Sequence, residues 1–220
     1  MRGLYAITPE STDLPRLVSQ VAQAVAGGAS VVQYRNKSLS AEAVVVQVRA
    51  LQALVSKAGV PFIINDDIEL ALAIHADGVH VGRDDSDVSA IAGIRDRITR
   101  ASHLSRRRPF LIGVSCYNDL QRAKAAVAAG ADYIAFGSFF PSKTKPDAVM
   151  ADVALVKAAK IALDVPVVAI GGITLETAPQ LIAANVDAIA VITDLFAATN
   201  VRDRARQFAS LFNFGNYVRQ

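Results

Sequence analysis

The chain has 220 residues, of which 52% are hydrophobic and 20% charged, and its mean hydropathy is +0.32. That much apolar surface offsets the conformational entropy of folding and excludes a disordered chain, at a length that one barrel can fill as a single domain, residues 1–220. A formal charge of only +3 argues against a nucleic-acid footprint, which would need a broad basic face, and favours small acidic ligands.

The N-terminal "MRGLYAITPE" has no long apolar stretch before its proline, so neither a signal peptide nor a membrane span is expected and the protein is read as cytoplasmic. The first strand candidate, 3–8, precedes "DLPRLVSQVAQAVAGG", where Leu14, Leu17, Val18, Val21 and Val25 follow helical spacing until two glycines stop it. A second, 30–35, precedes an Ala/Val-rich helix that runs from Ser40, its N-cap, to Lys57. The third, 61–65, leads into a short helix reaching about His75. Further candidates are 78–82, 111–116, 133–138, 166–172 and 188–193, with Ala-rich helical stretches such as 118–131 and 175–186 between them. About eight strands alternating with helices is the number that closes a parallel (β/α)8 TIM barrel. A doubly wound open sheet has the same alternation, but no Gly-x-Gly-x-x-Gly turn follows the first strand. The arginine run "RITRASHLSRRR" reads as a solvated helix end and loop.

In such a barrel the active site lies at the carboxyl ends of the strands, and those ends are polar here. The second ends in Gln33, Arg35 and Lys37, and the strand period of two sends these three to one side, where two cations can clamp a phosphate or diphosphate. The alternative is ion pairing with neighbouring acidic loops. The third and fourth end in "INDD" and "GRDD". Asp66 and Asp85 suit Mg²⁺, which is commonly held by one or two carboxylates and the phosphates of a substrate; the alternative is helix capping by one Asp of each pair. After the sixth strand, "FGSFFPSKTKP" places Ser142, Thr144 and Lys145 on a loop running to about Met150, either an anion site or a solvated lid. Gly171 and Gly172 let backbone amides approach a phosphate, or make a plain tight turn. None of the three histidines has a second ligand at zinc spacing, so His80, between valines, is read as core. Cys116, the single cysteine, cannot form an intramolecular disulfide and is read as a small hydrophobe.

The pieces "LYAIT", "QYRNK", "INDD", "GVHVGRDD", "IGVS", "FGSFFPSKTK", "AIGGI" and "AVIT" occur in that order along nearly the whole chain, which thereby resembles the thiamine phosphate synthase family. The resemblance implies a TIM-barrel transferase that joins a hydroxymethylpyrimidine diphosphate to a thiazole phosphate and releases diphosphate with Mg²⁺. It assigns Gln33, Tyr34, Arg35, Asn36 and Lys37, together with Asn65, Ser115 and Lys145, to the pyrimidine diphosphate, and Asp66 and Asp85 to the metal. Ser142, Thr144, Gly172, Ile192 and Thr193 fall to the thiazole phosphate, and Arg35, Lys37, Ser115 and Lys145 take the catalytic roles. Ser142 stands where threonine is usual and Thr193 where serine is usual; each exchange keeps a hydroxyl. Two rivals stay open at this point, a thiazole tautomerase-like barrel and a non-catalytic ligand sensor. The expected partners are the two small substrates, with no nucleic acid and no membrane; the sequence leaves both a monomer and a homo-oligomer open.

Overall fold

Short, wholly apolar strands form where both faces of a sheet are covered, and here one face meets helices while the other meets the opposite wall of a barrel. The computed structural model describes residues 1–82, 88–100, 109–141 and 150–214. Its elements run β1 (Gly3–Ile7), α1 (Leu14–Ala26), β2 (Ala29–Tyr34), α2 (Ala41–Lys57), β3 (Phe62–Asn65), α3 (Ile68–Ala73), β4 (Gly78–Val81) and α4 (Val88–Arg100). They continue with β5 (Leu111–Tyr117), α5 (Leu120–Ala128), β6 (Tyr133–Phe136), α6 (Val153–Ala162), β7 (Val167–Ile170), α7 (Ala178–Ala183), β8 (Ala188–Val191), α8 (Thr193–Phe196) and α9 (Val201–Phe214). Every neighbouring pair is parallel, and β1 pairs with both β2 and β8, so the sheet closes in the order β1 to β8. The expected barrel is present and the open sheet is excluded.

Alternation along each strand divides the apolar residues into two shells. Outward residues such as Leu4, Val32, Phe62 and Ile134 pack on helix residues including Leu17, Leu51 and Phe208. Inward residues, among them Tyr5, Val31, Ile63, Tyr133 and Val168, fill the lumen. Full burial of side chains such as Leu17 and Leu51, both 0% exposed, contributes roughly 1.5–3 kcal/mol each.

Caps set the helix starts. Asp13 accepts from the Arg16 amide, Ser40 from Ala43 and Asp152 from Leu155. The last of these starts α6 at Val153, three residues beyond the start near Met150 expected from sequence. Helices α8 and α9, unassigned in the sequence reading, close the chain, with α9 packed across α1.

A recurring clip ties the amino end of the barrel. Asp77, Asp132 and Asp187 immediately precede β4, β6 and β8, and each carboxylate accepts the backbone N–H of the preceding strand: Phe62 at 2.8 Å, Ile112 at 2.7 Å and Val167 at 2.7 Å. Arg95 joins Asp132 at 2.5 Å and Lys160 joins Asp187 at 2.7 Å. Among the described residues no helix is long and apolar enough to cross a membrane.

Candidate active site

Inward alternation carried to the carboxyl ends decides which side chains reach the barrel mouth. On β2, Val31 faces the lumen, and Gln33 two residues on is 2% exposed and faces it as well. On β3 the same step leads from Ile63 to Asn65, on β4 from Gly78 to His80, and on β5 from Gly113 to Ser115. Of the expected pyrimidine residues, Gln33, Asn65 and Ser115 are therefore brought to one lumen. Arg35 and Lys37 lie past the end of β2, which stops at Tyr34, so the period-two expectation extends to Gln33 only.

Both cations make ion pairs at the rim. The Arg35 guanidinium donates to Glu10 at 2.8 Å, and the Thr8 hydroxyl accepts from the Arg35 amide at 2.9 Å, locking the start of the loop. The Lys37 ammonium stands 3.0 Å from Asp66. Tyr34 belongs to the outer shell: it is 3% exposed and its hydroxyl donates to Gln47 of α2 at 3.0 Å. Burial pushes its phenol up to about 12, so it stays neutral, and its side chain is turned away from the lumen. Asn36 organises the loop, donating to the Ser11 carbonyl at 3.0 Å and accepting from the Ser38 amide at 3.0 Å.

The two aspartates after β3 separate cleanly. Asp67 accepts from the Leu70 amide at 2.8 Å and caps α3. Asp66 has φ +62°, a left-handed conformation that Asp tolerates better than most residues, and its amide donates to the His80 carbonyl at 2.8 Å. This bend carries its carboxylate into the cleft between the ends of β2 and β3, lined also by Asn36, Lys37 and Asn65. One carboxylate oxygen accepts from the Asn65 amide at 2.5 Å and meets the Lys37 ammonium. The capping alternative thus holds for Asp67, while Asp66 is an oxygen donor at the rim beside a cation.

Beneath the mouth a polar chain joins Gln33 and Ser115, expected at the site, through Tyr5 and Tyr133, which had no expected role, and His80, expected in the core. Gln33 Nε2 donates to Tyr5 Oη at 2.9 Å, Tyr5 Oη and Tyr133 Oη share a proton contact at 2.8 Å, and Tyr133 Oη lies 3.1 Å from His80 Nδ1. His80 Nε2 then meets Ser115 Oγ at 2.9 Å. Burial lowers the His80 pKa from 6.5 to about 4 and pushes both tyrosine phenols up, so all three are neutral at pH 7. The signal was present in sequence as inward register: Tyr5, His80 and Tyr133 sit at the lumen positions of their strands. Cys116 is buried in the outer shell, its thiol pushed up to about 12 by burial, which suits the hydrophobe expected there and not a nucleophile.

At the far side of the mouth, Gly172 has φ +62° and lies so close to the Phe140 and Pro141 carbonyls that a Cβ would fall 2.6 Å from each. The turn after β7 is therefore built around a residue without a side chain, pressed on the start of the segment that follows β6. Ile192 packs on the lumen shell and Thr193 opens α8, exposed, at the neighbouring strand end. Asp85, Ser142, Thr144 and Lys145 lie outside the described residues. Among the described residues no group of three or more His, Cys, Asp or Glu side chains could hold a metal ion.

The sequence profile of the thiamine monophosphate synthase family matches residues 4–195, from the first strand to the helix after the last. The chain belongs to that family. A thiamine-phosphate synthase of Methylobacillus flagellatus is 49% identical over 213 residues, covering 97% of this chain and 96% of that one. One from an Azoarcus species is 47% identical over 212 residues, covering 96% and 98%. The thiamine phosphate pyrophosphorylase of Pyrococcus furiosus superposes with a TM-score of 0.82 at 30% identity, with 96% of each chain covered. For a thiamine monophosphate synthase family barrel, the convergence of Gln33, Asn65 and Ser115 on one lumen, with Asp66 and Lys37 at its rim, supplies amide and hydroxyl hydrogen bonding beside charged groups.

Proposed function

We propose that the protein is a thiamine-phosphate synthase, a cytoplasmic single-barrel transferase coupling 4-amino-2-methyl-5-(diphosphooxymethyl)pyrimidine to a thiazole phosphate with release of diphosphate. The observation that carries the reading is near-half identity to thiamine-phosphate synthases over nearly the whole chain, together with a barrel mouth whose neutral recognition groups stand beside a charged rim.

Gln33, Asn65 and Ser115 orient the pyrimidine. Arg35 and Lys37 exchange their partners Glu10 and Asp66 for the diphosphate, so positive charge already in place meets the charge that develops on the leaving oxygen. The bond from the pyrimidine methylene to that oxygen breaks with its electron pair leaving on diphosphate; the amino-substituted ring donates into the cation-like methylene, and the thiazole nitrogen then forms the new C–N bond. No protein nucleophile is required, which agrees with a buried, neutral Cys116 and a neutral His80. Positioning and electrostatics carry the step. Gly172, Ile192 and Thr193, with Ser142 and Thr144, bind the thiazole phosphate, and Lys145 serves the diphosphate.

Asp66 fits a divalent cation as a hard oxygen ligand at the cleft between the ends of β2 and β3, beside Asn65, and in sequence Asp85 follows the neighbouring strand. Mg²⁺ held by these two carboxylates and by substrate phosphate oxygens would supply charge neutralisation for the departing diphosphate. The test is diphosphate release by the purified protein with both substrates and Mg²⁺, against omission of each component, with the product identified by mass. Product and diphosphate appearing together only in the complete mixture is the expected result; binding of both substrates without turnover would return the protein to the tautomerase or sensor readings.

A further inference from the structure

Small parallel barrels fill their lumen with layers of apolar side chains, and this one departs from that rule on one level. Gln33, Tyr5, Tyr133 and His80 are 2%, 1%, 1% and 9% exposed, and each has a polar atom joined to the next in a single file that ends on Ser115. Tyr133 is the middle member, and β5 gives up a side chain to admit it: a Cβ on Gly113 would fall 2.0 Å from the Tyr133 ring and 2.3 Å from its hydroxyl. The His80 and Tyr133 rings are stacked with centroids 5.6 Å apart, which fixes the imidazole against the phenol.

Such a file has a direction. Each hydroxyl has one proton and a neutral imidazole has one N–H and one lone pair. With Gln33 donating to Tyr5, the proton of Tyr5 goes to Tyr133, that of Tyr133 to His80 Nδ1, and that of His80 Nε2 to Ser115, whose own proton is left for a ligand. Reversing any link reverses them all: Ser115 then gives its proton to His80, and Gln33 must turn its carbonyl to Tyr5. In the first order the two ends offer a carbonyl acceptor at Gln33 and a hydroxyl donor at Ser115; in the second, an amide donor and a hydroxyl acceptor.

We propose that Tyr5, Tyr133 and His80 form a relay under the barrel mouth that makes Gln33 and Ser115 switch together, so that Tyr133 is a specificity-determining positioning residue for the pyrimidine. The inference rests on the proposed synthase reading, which brings the pyrimidine to these two ends. A 4-aminopyrimidine spanning the mouth puts a donor, its amino group, at one end and a ring-nitrogen acceptor at the other, which is complementary to a coupled pair. The 4-oxo analogue, as its N3–H lactam, puts acceptors at both ends of the axis from C4 to N1, so either direction of the relay leaves one contact unmade. A missing hydrogen bond in a buried recognition site lowers kcat/KM by about 10-fold to 100-fold.

The experiment compares kcat/KM for the 4-amino and 4-oxo pyrimidine diphosphates in the wild type, Tyr133→Phe, Tyr5→Phe and the double variant, with thermal midpoints and the KM for thiazole phosphate alongside. The wild type is expected to favour the amino substrate at least 10-fold. Tyr133→Phe cuts the relay with the ring in place, and the preference is expected to fall at least fivefold while the KM for thiazole phosphate stays within twofold. Tyr5→Phe cuts a different link and is expected to give the same loss, with the double variant losing no more than either single one. A merely structural role would lower both rates together and leave their ratio unchanged; a ratio within twofold of wild type in whichever variant folds overturns the proposal. A wild type that uses both pyrimidines equally overturns it too, even without variants, and leaves the synthase reading standing. Absence of any coupled product from the wild type removes both.

Discussion

Asp66 and Asp67 are adjacent and chemically identical, yet the backbone gives them separate tasks. Asp67, in extended conformation before α3, accepts a helix amide, whereas the left-handed turn at Asp66 lifts its carboxylate to the rim of the barrel. Asp67→Ala should lower stability by about 1 kcal/mol, the usual effect of losing an N-cap, with turnover within twofold of wild type; chemical denaturation and a steady-state assay on one preparation check it. His80 ties stability to pH. Its folded pKa is depressed from 6.5 to about 4, so the unfolded chain binds the proton first. Its contribution is complete above pH 6.5 and is lost as pH falls from 6.5 towards 4, by on the order of 3 kcal/mol for a shift of that size. Urea midpoints at pH 7 and pH 4.5 should differ accordingly, and His80→Asn should flatten that part of the profile. A midpoint that is equally pH-dependent in His80→Asn would assign the effect to other groups.

At the scale of elements, the two ends of the barrel are built for different purposes. The amino end is stitched by Asp77, Asp132 and Asp187, each joining the start of one strand to the backbone of its predecessor, while the carboxyl end carries the polar side chains of the proposed site. Asp187→Ala removes a charge-assisted bond to Val167 and the partner of Lys160. It should destabilise by about 1–3 kcal/mol while leaving kcat/KM within twofold, read by thermal denaturation and the coupling assay. This division explains what could be read from sequence. The strands were legible because burial on both faces leaves short apolar runs, and Ser40 was legible as a cap because capping is local. The Asp clips were not, because each joins residues on neighbouring strands, 15 apart for Asp77 and 20 apart for Asp132 and Asp187. The placement of Arg35 and Lys37 was overextended for a related reason: alternation applies only while the strand lasts, and β2 ends at Tyr34.

For the whole molecule, closure of the barrel turns strand register into a site. Gln33, Asn65 and Ser115 are far apart in sequence and meet because they occupy inward positions at the same end of β2, β3 and β5. Most of that site was legible as polar residues at strand ends. Its floor was not, since a histidine between valines and two tyrosines in apolar strands have the pattern of core residues, and only the closed lumen brings their polar atoms into one file. In the proposed function this mouth, with Asp66 as a metal-facing carboxylate, performs the coupling. The Mg²⁺ dependence of kcat/KM for coupling in Asp66→Asn beside the wild type, with thermal midpoints as the control for folding, decides whether it does. A loss of at least 100-fold, a higher Mg²⁺ concentration at half-maximal rate and little change in midpoint are expected. Wild-type turnover with an unchanged Mg²⁺ profile would contradict it.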